Sequence, residues 1–286
     1  MALNEPGDLI SVDFSDDNEV KIIDIIGDGG KLSRKAKLNT ASIPIISMLK
    51  AINSAKGIDV LIDKRMPLGS GMGSSAASAV AGAVAANELL GNPFSKQELI
   101  PFILEGEAFA SGSVHGDNAI PSLMGGIVLT LAYEPLRLVE LPVPSFLHYA
   151  MVHPDLKILT KEARGILPAQ VPMQTAIKQM GLLSGFVAGL YTEDEQLIGD
   201  SLHDLLAEPY RKTLLTGFDA VKKTALAEGA INCGISGSGP SVYALTNSAE
   251  KAERIAKGME TTFNTQKINA QSYWGKVNNQ GAKIIA

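Results

Sequence analysis

The chain has 286 residues, 45 % apolar and 19 % charged, an ordinary composition for a globular protein of one large or two modest domains. A net charge of −5 speaks against nonspecific nucleic-acid binding, and one cysteine excludes an internal disulfide or a multi-cysteine metal centre. The amino terminus has no basic stretch leading into an apolar one, and no run is apolar enough to span a bilayer. A cytoplasmic location without membrane contact is therefore expected.

In chain order, Leu9 to Phe14 alternates apolar and polar residues and predicts a strand. Val20 to Ile26 predicts a second, closed by the turn cluster Gly27-Asp28-Gly29-Gly30. Ala41 to Ala55 has helical spacing, and Ile58 to Ile62 is a short strand. It leads into Pro67-Leu68-Gly69-Ser70-Gly71-Met72-Gly73-Ser74-Ser75-Ala76. Three alternate glycines leave that backbone free to adopt positive φ, and the alanine-rich run to Leu90 favours helix. A glycine turn that opens a helix gathers unpaired N–H groups and the positive dipole end at one point, which suits a phosphate. The loop has no Lys, so it is not a Walker A motif, and its spacing is not a dinucleotide fingerprint. A tight structural turn would use the same residues.

Ser95-Lys96-Gln97-Glu98 is a capping box and predicts a helix, with Pro101 expected to kink it or delay its start. Leu99, Ile100, Ile103 and Leu104 form one apolar stripe. Glu107 falls within the stripe and Glu105 on the opposite face. A carboxylate aimed at a core needs a cation. That cation is either Mg²⁺, with a hydroxyl from Ser75 or Ser74, or a Lys or Arg in a buried ion pair. Gly112 to Asn118 then gathers His115, Asp117 and Asn118, which suits either a polar substrate or a self-satisfied Asx turn.

Gly125 to Ala132 and Leu136 to Leu141 predict paired strands. Pro142-Val143-Pro144 places a domain boundary, dividing the chain into 1–144 and 145–286. The second half predicts strand Leu147 to Val152, helical segments to about Leu206, and a helix from Thr216 to Glu228. Strands Ala230 to Cys233 and Ser241 to Leu245 flank Gly234-Ile235-Ser236-Gly237-Ser238-Gly239-Pro240, which alone reads as a hairpin with a wide turn. A helix from Ser248 to Phe263 and a closing strand from Lys283 to Ile285 follow. Cys233 reads as a small buried hydrophobe. Without a regular βαβ rhythm, the class is α+β.

Together these segments resemble the GHMP kinases. The stretch Pro67 to Ala76 is similar to that family's Pro-x-x-x-Gly-Leu-Gly-Ser-Ser-Ala loop, with Met72 in the leucine position. Gly234 to Ser241 is similar to its glycine-rich third motif. His115-Gly-Asp-Asn118, Thr160-Lys-Glu-Ala-Arg164 and Glu208-Pro-Tyr-Arg211 resemble the branch that phosphorylates L-homoserine. The resemblance implies an N-terminal kinase domain carrying the phosphate loop and a ferredoxin-like α+β C-terminal domain. It implies ATP-dependent phosphorylation of the homoserine hydroxyl. Pro67, Gly69, Ser70, Gly71, Met72, Gly73, Ser74 and Ser75 would bind phosphate. Glu107 and Ser75 would hold Mg²⁺. His115, Asp117, Asn118, Thr160, Arg164 and Arg211 would bind substrate, with stabilising the transferring phosphoryl group an alternative role for either arginine. Gly234, Ser236, Gly237, Ser238 and Gly239 would form the third loop. No general base stands out beyond His115 and Asp117.

That branch opens with a strand and an Asn-x-Gly-x-Gly-Phe-Asp turn, which this sequence lacks before Met1, so an N-terminally short member is expected. The alternatives are a GHMP kinase for another alcohol (mevalonate, galactose or shikimate) and a truncated inactive member. A second copy of the chain is the one macromolecular partner this reading admits.

Overall fold

The structure is a computed structural model that describes residues 1–111 and 115–285. The segment Gly112-Ser113-Val114 of the third polar motif lies outside the described residues. The chain divides into two bodies. One comprises Met1–Leu68, Gly73–Glu140 and Asn278–Ala286, and the other Gly69–Met72 and Leu141–Val277.

In the first body, β1 (Leu9–Ser15), β2 (Val20–Ile26) and β3 (Gly57–Asp63) form a sheet with β3 in the middle. β3 runs antiparallel to β1 and parallel to β2. Alternation along β3 turns Ile58, Val60 and Ile62 into the core. Helix α1 (Ile43–Ala51) is shorter than its apolar spacing predicts, because Pro44 favours the first turn and the helix ends at Ile52, before Asn53 at φ 51°. Next come α2 (Ser74–Leu89), α3 (Lys96–Ser111) and α4 (Ala119–Met124), then the two-stranded sheet of β4 (Ile127–Tyr133) and β5 (Leu136–Leu141). Pro101 does not delay α3. Ser95 and Glu98 cap each other reciprocally, and Pro101 lies in the second turn of an unbroken helix.

Helix α2 is lined with small residues because it passes very close to its neighbours. Ala76, Ala79, Ala83 and Ala86 are buried, and a Cβ at Gly82 would lie 2.1 Å from the Ala41 carbonyl oxygen.

In the second body, β6 (His148–Pro154) is followed by α5 (Thr160–Gly165), α6 (Met173–Thr192), α7 (Glu195–Ser201) and α8 (Glu208–Arg211). Then come α9 (Phe218–Ala227), β7 (Asn232–Ile235), β8 (Val242–Thr246), α10 (Ala249–Thr265) and β9 (Ala270–Lys276). The order β7-β8-β6-β9, all antiparallel, with α9 and α10 as crossovers, is the ferredoxin-like βαββαβ arrangement. Phe218, Val221, Met259 and Phe263 pack on Val152, Val242 and Ala244, and Cys233 is buried among them. Burial pushes the Cys233 thiol up to about 12, which makes it inert.

The closing strand falls elsewhere than the sequence predicts. Lys283 to Ile285 is unpaired, with Ile284 and Ile285 exposed, and the last strand is β9, paired to β6. β9 is a half-exposed edge strand, so its alternation is weak in the sequence.

Replacing Gly82 with Ala tests the close approach of α2. Helix propensity alone favours the substitution by about 1 kcal/mol. The clash with a fixed backbone carbonyl outweighs it, and we expect a net loss of about 2 kcal/mol in urea unfolding.

Candidate active site

In the first body the site is built around the start of α2. Gly73 is its N-cap, at φ 81°, and a Cβ there would lie 2.7 Å from Asn118 Cβ. Glycine is thus required twice over, by conformation and by the Asn118 turn packed against the helix start. The Ser74 side chain is buried and its hydroxyl donates to the Met66 carbonyl at 3.2 Å, so it holds the loop's entry. Ser75 is half-buried, and its hydroxyl is hydrogen-bonded to the Glu107 carboxylate. Of the two serines left open by the sequence, Ser75 is therefore the partner of Glu107.

Glu107 lies on α3 and is 6 % exposed, while Glu105 points out and accepts a hydrogen bond from Ser47. Burial pushes the Glu107 carboxyl up to about 7. The Ser75 hydroxyl pulls against this shift, the Asp117 carboxylate adds to it, and the Lys64 ammonium also pulls it down.

Lys64 is the residue that the sequence reading missed. It stands just after β3, outside the glycine loop, with a side chain 2 % exposed. It forms an ion pair with Asp8 and donates to the Ser74 carbonyl at 2.6 Å and to Ser78 Oγ at 2.9 Å. The Ser78 hydroxyl in turn donates to Asp8 Oδ2 at 2.6 Å, and Asp8 Oδ1 accepts from the backbone N–H groups of Arg65 and Met66. Three donors on Lys64 meet three acceptors, so its influence on Glu107 is exerted through charge. Burial lowers the Lys64 pKa, and Asp8 and then Glu107 oppose that. At the end of a strand and followed by Arg65, a lysine reads as solvated, and nothing near Asp8 marks it as buried.

In the second body, Gly69–Met72 interlocks with the third glycine motif. A Cβ on Gly71, at φ 76°, would lie 2.5 Å from the Gly239 carbonyl oxygen and 2.6 Å from that of Ser236. The Ser236 hydroxyl donates to the Gly71 carbonyl at 3.0 Å, and the Ser241 N–H to the Ser70 carbonyl at 3.1 Å. Ser70 is fully buried, and Met72 is buried too. Arg211 donates through Nη1 to the Gly237 carbonyl at 2.8 Å and through Nε to the Ala163 carbonyl at 3.3 Å. It thereby ties the glycine turn to α5, whose Thr160 and Arg164 are exposed.

The structure therefore gathers the predicted residues in two groups. Gly73, Ser74, Ser75, Glu107, Asp117 and Asn118 share the first body with Pro67 and His115. Gly69 to Met72, Thr160, Arg164, Arg211 and Gly234 to Gly239 share the second. Among the described residues, no group of three or more His, Cys, Asp or Glu is placed to hold a metal ion. No helix among them is long and apolar enough to cross a membrane.

Comparison with known proteins shows the family. Residues 40–126 match the GHMP kinases N-terminal domain and residues 186–265 the GHMP kinases C-terminal domain. The chain is 45 % identical to homoserine kinase of Chlorobium phaeobacteroides, over 99 % of this chain and 92 % of that one. It is 42 % identical to homoserine kinase of Chlorobaculum tepidum, over 100 % and 92 %. The crystal structure of homoserine kinase from Cytophaga hutchinsonii is 47 % identical and superposes with a TM-score of 0.96, over 99 % of this chain and 90 % of that one. The chain belongs to the homoserine kinases of the GHMP kinase family.

Two outcomes follow from the buried charges. Asp8→Ala strands the Lys64 ammonium, and we expect a loss of about 3–5 kcal/mol in chemical unfolding, largely restored by adding Lys64→Met. Glu107 has a folded pKa raised above its unfolded value. Its favourable neutral form is fully present below the unfolded pKa, near 4.5, and is lost as pH rises through about 7. The ligand-free protein should therefore be less stable at pH 8 than at pH 5 by about 2 kcal/mol from this group. Glu107→Gln should remove that slope in thermal melts.

Proposed function

We propose that the chain transfers the γ-phosphoryl group of ATP to the side-chain hydroxyl of L-homoserine, giving O-phospho-L-homoserine and ADP. The observation that carries the reading is the buried Glu107 carboxylate, bonded to Ser75 in the first turn of a helix that opens a glycine loop. An all-oxygen pair of carboxylate and hydroxyl suits a divalent cation, and the adjacent helix start suits an anion.

The donor set fits magnesium. It offers one buried carboxylate, one hydroxyl bonded to it and a second carboxylate, Asp117, within its field. All are oxygens, and they are too few for a protein-only cage, which matches the way Mg²⁺ shares its sphere with phosphates and water. When bound, Mg²⁺ neutralises charge on the phosphates. Glu107 and Ser75 would hold it, and the N–H groups of the first turn of α2 would take up phosphate oxygens. Gly69 and Gly71, both at positive φ, would offer bare backbone to a phosphate, the Ser70 and Met72 side chains being buried. Lys64 keeps the Ser74 carbonyl and the loop's entry fixed.

Arg164 and Arg211 recognise the substrate carboxylate, which a guanidinium matches with two parallel hydrogen bonds. Arg211 also holds the Gly237 turn, so it links substrate binding to loop position. His115, Asp117, Asn118 and Thr160 read the amine and hydroxyl of the substrate. A loose phosphoryl-transfer transition state requires little proton abstraction before bond formation, so positioning and charge neutralisation carry the rate.

ADP release measured with L-homoserine, mevalonate, galactose and shikimate tests the reading. Turnover should be confined to homoserine; turnover of another alcohol alone would overturn the substrate assignment. Glu107→Gln should lower kcat by about 10²-fold or more while the protein stays folded. Arg164→Ala should raise the KM for homoserine by about 10-fold or more and leave the KM for ATP nearly unchanged.

A further inference from the structure

The turn Gly116-Asp117-Asn118 does not hold its own shape. Asn118 is the N-cap of α4, yet its side chain makes no cap hydrogen bond, and Asp117 and Asn118 are both exposed. In a self-satisfied Asx turn such a side chain would accept from the N–H groups that follow it. Gly116, in contrast, is buried, and both of its backbone polar groups are used. Its carbonyl accepts from the Ile120 N–H at 2.8 Å, which ties it to the first turn of α4. Its N–H donates to the Tyr133 hydroxyl at 2.9 Å. Tyr133 is the last residue of β4, so this hold comes from the β4–β5 sheet and not from the turn itself. The ring adds a second contact. A Cβ on Gly116 would lie 3.1 Å from Tyr133 Cε1 and 2.5 Å from Ile120 Cδ1. Glycine at this position lets the ring and α4 close on the backbone from two sides.

We infer that Tyr133 is a positioning residue for the amino-acid substrate: its hydroxyl, by accepting from Gly116, fixes the turn that presents His115, Asp117 and Asn118. This assignment rests on the substrate role proposed above for that turn. A buried backbone N–H without a partner is unfavourable, so a turn that loses this acceptor shifts until another group replaces it. The shift carries the Asp117 and Asn118 side chains with it. The entry to the phosphate loop has its own supports, Lys64 on the Ser74 carbonyl and the Ser74 hydroxyl on the Met66 carbonyl. Loss of the Tyr133 hydroxyl therefore falls on homoserine and not on ATP.

Tyr133→Phe removes the acceptor and keeps the ring. Steady-state kinetics should show the KM for homoserine raised about 5-fold, the size of one neutral hydrogen bond, with the KM for ATP and the urea midpoint nearly unchanged. Amide exchange followed by NMR should show the Gly116 N–H exchanging about 5-fold faster or more, with the amides of α2 and β3 unaffected. Tyr133→Leu, which removes the ring as well, should raise the homoserine KM further. An unchanged homoserine KM in Tyr133→Phe overturns the inference and leaves the proposed function standing, since the wild type still uses homoserine. Equal rises in both KM values with a lowered midpoint also overturn it, because they mark a purely structural role. A wild type that phosphorylates another alcohol alone overturns the proposed function, and this assignment with it.

Discussion

A buried ion pair at the foot of the glycine loop is the interaction on which the rest of this molecule depends. Asp8 and Lys64 sit almost wholly out of water, and taking two charges there costs several kcal/mol each before their attraction is counted. The cost is offset because every donor and acceptor is used. Lys64 reaches Asp8, the Ser74 carbonyl and Ser78, while Asp8 holds the N–H groups of Arg65 and Met66. The pair clamps both the entry to the loop and the first turn of α2. It also leaves a positive charge near Glu107, enough to ease its ionisation but not to cancel the effect of burial.

The second constraint is the close packing of glycines. Gly71 approaches two backbone carbonyls of the third glycine motif at distances no Cβ tolerates, and Arg211 fastens that motif to α5. Glycines in these stretches thus have two separate purposes. Gly73 caps a helix beside Asn118, whereas Gly71 and Gly237 let two loops interlock. A single glycine-rich pattern in the sequence serves both, which is why the loop belongs partly to each body.

Much of the fold was legible in the sequence because periodicity survives where elements are amphipathic. The strands at Leu9 and Val20, the Ser95 capping box and the buried turn of Glu107 on its apolar stripe follow from that rule. β9 escaped it because an edge strand half in water has little contrast between its faces. At the site, glycine spacing and the misplaced carboxylate were visible, but their supports were not. Asp8 and Lys64 are 56 residues apart and form one unit only in three dimensions. The choice between Ser74 and Ser75 likewise needed the geometry, since adjacent residues of a first turn face different neighbours.

The central claim is that burial beside a saturated ion pair raises the Glu107 carboxyl pKa and sets the group, with Ser75, at the start of the phosphate-loop helix. The most direct measurement is a carbon-13 NMR titration of its side-chain carboxyl in the ligand-free protein. The account predicts a midpoint near 7, with the signal held ionised across that range once Mg²⁺ and ATP are added. A midpoint at the ordinary value for an exposed glutamate, unmoved by Mg²⁺ and ATP, would contradict it.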